Sequence, residues 1–129
     1  MRKLAFPLVA LLLLSGRALA GVPDQQQEQD PKAKAENWIM QADSTRALVD
    51  GVLASALEGG AEEHAVAKDQ VKDARYYMGE GDKALAAAKE ALEADDYTRA
   101  ANMGNAAWQY YVKVGTAAVL AARLVSGGA

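Results

Sequence analysis

Three apolar stripes, each stepping by three or four residues, restrict what this chain can fold into more than any other feature. The longest runs Tyr97, Ala101, Gly104, Trp108, Tyr111, Gly115, Ala118, Ala122, Val125. A second runs Ala67, Val71, Ala74, Met78, Gly81, Leu85, Ala88, Leu92. A third runs Trp38, Ala42, Thr45, Val49, Val52, Ala56, widened by Ile39, Leu53 and Leu57. This spacing returns to one side of an α-helix at every turn, whereas a half-buried strand alternates at every second residue. An amphipathic helix must cover its stripe with another element. The pattern therefore predicts an all-α fold.

The signals between the stripes set the boundaries. Asp30-Pro31 pairs a capping acceptor with a proline suited to the first helical position, and Gly59-Gly60 supplies the backbone freedom a helix C-terminus favours. The first helix is therefore expected over Pro31–Glu58. The second stripe predicts a helix over Ala61–Ala94. Gly79 and Gly81 interrupt it, and Asp82 could cap a new helix there. The phase does not shift across the glycines, which favours one helix weakened or kinked at that point, although each glycine costs about 1 kcal/mol relative to alanine. The alternative is two helices, making four in all. Asp95-Asp96 caps the last helix, which should run to about Leu124. Helices of roughly 28, 34 and 28 residues would be about 42–51 Å long, well matched for an up-down helical bundle of three long helices. Residues 31–125 form the predicted domain.

On the last stripe, small Gly104 and Gly115 flank large Trp108 and Tyr111, the pattern of a close helix contact with aromatic filling beside it. Trp38, Trp108 and Tyr111 are expected in the core. Tyr76 and Tyr110 are expected at its boundary and are the candidate partner-binding residues. Val114–Ala122 carries no charge, which implies that more than one face of this helix is covered, by the bundle or by another subunit.

The first twenty residues have the form of a secretory signal: Arg2 and Lys3, an apolar run from Leu4 to Leu14, then Ala18-Leu19-Ala20 as a small-x-small cleavage pattern. The run is too short for a membrane span, which needs about 20 residues. Removal of Met1–Ala20 would leave 109 of the 129 residues, enough for one modest core. It would also take away Arg2, Lys3 and Arg17, moving the formal charge from −3 to −6. An acidic surface disfavours nucleic acid and anionic membranes. Gly21–Asp30, polar and Gln-rich, is expected to be a disordered leader. With no cysteine in the chain, the helices must be held by packing rather than disulfides. A periplasmic or secreted location follows as an expectation, with no stable membrane insertion.

Two resemblances appear at the last interhelix turn. Asp95-Asp96-Tyr97-Thr98-Arg99-Ala100 looks like the turn of a tetratricopeptide-type helical hairpin. An offset of 34 residues, the period of that repeat, aligns Tyr76-Tyr77 with Tyr110-Tyr111, Gly81 with Gly115, and Ala84 with Ala118. The repeat's Trp-x-x-Leu-Gly-x-x-Tyr pattern is missing, and at most two repeats fit where a solenoid needs about three. Ala84–Ala122, about a third of the chain, is similar to the Ala-rich segment of a family of uncharacterised bacterial envelope proteins, in which two long helices meet at a similar turn. That resemblance implies a helical envelope protein and no particular activity.

Chemistry-bearing motifs are sparse. His64 is the only histidine, beside Glu62 and Glu63. A di-metal bundle needs two Glu-x-x-His motifs and a zincin needs His-Glu-x-x-His; neither can be built here. Adjacent acids suit a helix N-terminus, and His64 is expected in solvent. A haem bundle would need a histidine on the last helix; Met40, Met78 and Met103 are expected as core fillers. Ser44, Ser55 and Ser126 have no identifiable base, and Gly79-Glu80-Gly81 lacks the strand a phosphate loop requires. No metal or cofactor is expected. The leading expectation is a non-enzymatic exported module that binds a protein partner or itself. The alternative is a small-ligand or metal-ion binding bundle of the periplasm.

Overall fold

The computed structural model describes residues 30–127. They form three helices and no strand: α1 Pro31–Glu58, α2 Ala67–Glu93 and α3 Tyr97–Ser126, with one 3₁₀ turn at Ala61–Glu63. This is the three-helix bundle that the stripes predict. The predicted signal segment, and the predicted leader up to Gln29, lie outside the described residues.

α3 is the centre of the bundle. It packs along both other helices, while α1 and α2 touch each other far less. Its register against α1 can be read from three glycines. A Cβ on Gly104 would lie 3.0 Å from Trp38 Cβ, one on Gly115 3.1 Å from Val49 Cγ1, and one on Gly59 3.4 Å from Val125 Cγ2. Both helices advance together through these contacts, so α1 and α3 run parallel, and α2 runs antiparallel to both. Fifteen of the 22 buried apolar residues among those described are alanine, which lets the helix axes approach closely and leaves a thin core. Tyr111, Val71 and Val114 are the largest fully buried side chains.

The turn between α2 and α3 uses its two aspartates differently. Asp95 takes the left-handed conformation (φ 62°) that ends α2. The Asp96 carboxylate accepts a hydrogen bond from the Arg99 amide at 3.2 Å and caps α3, as the sequence predicts.

Five expectations need correction. α2 begins at Ala67 rather than Ala61. After the left-handed Gly60, the chain makes only the short 3₁₀ turn, and His64 is extended (φ −81°, ψ 131°). His64 Nδ1 then accepts from the Val66 and Ala67 amides at 3.2 and 3.1 Å, and its carbonyl accepts from Lys68 N. The imidazole thus does the work of a cap acceptor instead of lying free in solvent.

The four-helix alternative fails because α2 continues without a break through Gly79 and Gly81. Gly81 lies under the Tyr111 ring, where a Cβ would come within 2.6 Å of Cε1; Gly79 has nothing within 4 Å. Trp38 and Trp108, like Met78 and Met103, are half-buried and pack against the core from its edge rather than inside it. The Gly104 contact brings α1 and α3 too close to admit an indole, so the two rings meet at the edge of the groove, 5.7 Å apart and tilted 54°. Met40 is exposed rather than core, because it follows Ile39 on the outward side of α1. Met78 and Met103 do pack against the core.

Candidate functional site

The polar side chains nearest the core belong to three different helices. Arg46 on α1 reaches Asp82 on α2 in bidentate fashion, with Nε 2.7 Å from Oδ1 and Nη2 3.0 Å from Oδ2. Tyr111 on α3, fully buried, donates its hydroxyl to the same Oδ1 at 2.6 Å. The hydrogen bond from Arg46 holds the Asp82 carboxyl below its ordinary range, and that from Tyr111 acts in the same direction. Burial first, and Asp82 second, push the Tyr111 phenol well above its ordinary value, while the bond to Asp82 raises Arg46. A carboxylate kept ionised, a phenol kept protonated and a guanidinium kept charged give no group poised to exchange a proton near neutrality. The triad is a clasp across three helices. Its members are 36 and 29 residues apart in sequence, so no local motif announces it; Asp82 reads locally as a helix cap.

The two candidate partner-binding residues are brought together through a third. Tyr76 packs edge-on against Tyr77, with centroids 5.4 Å apart, and Tyr77 stacks on Tyr110 at 6.4 Å and 29°. Lys113 Nζ lies 5.4 Å from the Tyr77 centroid and 5.7 Å from that of Tyr110, within cation–π range. Tyr76 is 62% exposed, and Tyr77 and Tyr110 are half-buried. α2 contributes two tyrosines, and α3 contributes Tyr110 and, one turn on, Lys113. Tyr77 and Lys113 could not be singled out from sequence, because only the antiparallel packing of α2 on α3 sets them side by side.

On α3 beyond this cluster, the bundle buries Val114, Ala117, Ala118 and Ala121 and leaves Val112, Val119 and Leu120 about two-fifths exposed. Thr116 lies among them and donates its hydroxyl to the Val112 carbonyl at 3.2 Å, so its own hydroxyl is already engaged. The covering expected for this uncharged run is therefore not supplied on its outer side by α1 or α2. A shallow depression there is lined by Val112, Gly115, Thr116, Val119, Leu120 and Arg123.

The remaining candidates resolve into ordinary structure. Glu62 pairs with Arg75, which lowers the Glu62 carboxyl. Ser44 and Ser55 are on the surface. Among the described residues, no group of three or more His, Cys, Asp or Glu side chains is placed to hold a metal ion, and no helix is long and apolar enough to cross a membrane. No protein-family model, curated protein or solved structure matches the chain.

Proposed function

We propose that this protein is a non-enzymatic helical interaction module, exported after removal of Met1–Ala20, whose ligand is another protein. One observation carries the reading: the Tyr76–Tyr77–Tyr110 cluster with Lys113 stands at the surface. Tyrosine gives large contact area, few torsions to immobilise and a hydroxyl for the interface rim, and aromatic side chains dominate binding hot spots. The signal-like segment Met1–Ala20 and the resemblance to envelope proteins support a role outside the cytoplasm.

The test is a photo-crosslinking amino acid placed singly at Tyr76 and Tyr110, and at exposed Ser44 as control, in cells that make the protein. The reading predicts one discrete heavier adduct from positions 76 and 110, containing a second polypeptide, and none from 44. Absence of an adduct at both tyrosines would contradict it. An adduct made only of two copies of this chain would reassign the ligand to the protein itself.

A further inference from the structure

Charge is divided unevenly among the helices. α3 carries Arg99, Lys113 and Arg123 and no acidic residue, whereas α1 and α2 mix both signs. On its outer side, the exposed apolar residues Val112, Val119 and Leu120 share the surface with two cations, Lys113 next to Val112 and Arg123 one turn beyond Val119 and Leu120. These positions recur at helical spacing over about three turns, roughly 16 Å at 1.5 Å per residue. Arg123 has no ion pair among the described residues.

Resting on the protein-binding reading above, we infer that this face of α3 receives an acidic amphipathic helix of the partner, which completes a local four-helix packing. The apolar strip would take the partner's apolar seam, and Lys113 and Arg123 would face acidic flanking positions, as charges beside a helix seam set partner choice. Charge also argues against pairing of this face with the same face of a second copy. An antiparallel α3 pair centred on the strip sets Lys113 against Arg123, and a parallel pair sets each against its own equivalent; like charges oppose in both. Met1–Ala20 has no acidic residue to offer the face, and Gly21–Gln29 has a single large apolar residue, Val22. A nucleic-acid strand would find only two cations around an apolar strip.

The probe is a synthetic amphipathic helix of about 18 residues with leucine at the two seam positions of each heptad and glutamate at the flanking positions. A twin carries lysine in place of each glutamate. Both are titrated into the isotopically labelled full chain, followed by backbone amide shifts. The Glu helix should shift amides of Val112–Arg123 and bind at least tenfold more tightly than its twin, and the double variant Lys113→Glu/Arg123→Glu should reverse that preference. Equal binding of the twins, or shifts confined to another face, would overturn the inference. So would a dimer in sedimentation that Leu120→Glu dissociates, or tighter binding to phosphatidylglycerol vesicles than to the Glu helix. A discrete crosslinked partner at Tyr76 or Tyr110 without the peptide preference would overturn this inference alone, whereas absence of any adduct would overturn the protein-binding reading beneath it.

Discussion

Gly79 and Gly81 lie two residues apart on one helix, yet they answer to different constraints. Gly79 has open space around it, so Gly79→Ala should gain helix propensity and raise stability by about 1 kcal/mol. A Cβ on Gly81 would strike the Tyr111 ring, and Gly81→Ala should lower stability by about 1–3 kcal/mol through overpacking; urea unfolding of both variants measures the contrast. Tyr111 itself was legible in the sequence as a stripe residue. Its slot was not, since a glycine under a ring from another helix looks the same in sequence as a glycine that weakens its own. Tyr111→Phe, which keeps the ring and removes the bond to Asp82, should cost about 1.5 kcal/mol, the lower end for a hydrogen bond to a charged group. Acid should act on the same clasp. The Asp82 carboxyl is depressed in the folded state, so its contribution is present above the unfolded carboxylate value of about 3.9 and is lost as pH falls through the folded value. In chemical unfolding between pH 7 and 2, Asp82→Asn should flatten part of the decline below about pH 4, the rest coming from groups such as Glu62.

At the scale of elements, the ends of the helices show where sequence reasoning succeeds. Asp96 is a conventional capping type at a conventional place, and it caps α3. His64 is neither: an imidazole accepting from two amides is not a usual capping type, so sequence signals place the start of α2 six residues before Ala67. His64→Ala should therefore cost about 0.5–2 kcal/mol, the usual worth of a cap, and His64→Asn should recover most of it; thermal unfolding of the two variants compares them. The α1–α3 seam was legible as a pattern of small and large residues, but its two glycines are not equivalent. At Gly104 a methyl would meet the Trp38 Cβ and the Ile39 backbone nitrogen at 3.0 and 3.3 Å, whereas at Gly115 it would meet only the tip of Val49. A side-chain tip can shift and a helix backbone cannot. Gly104→Ala should accordingly lower the unfolding midpoint by more than Gly115→Ala does.

At the scale of the whole molecule, the arrangement is lopsided. α3 carries nearly all the interhelix packing, and α1 and α2 are joined to each other through Arg46–Asp82 and Lys89–Asp43. A thin alanine core closes around the inner side of α3 and leaves its outer side apolar and basic. The three stripes were enough to predict the bundle, because periodicity is local. They could not say which face of an uncharged run stays open, because that depends on where two other helices lie. On the binding reading, the open face of α3 serves a partner and not the fold. The most direct test is Leu120→Glu in a chain carrying the photo-crosslinking residue at Tyr110. Leu120 is about two-fifths exposed, so stability should change by no more than about 0.5 kcal/mol, as for an ordinary surface substitution, while the crosslinked partner is lost. An adduct that persists undiminished, or a bundle that unfolds, would contradict a binding role for this face.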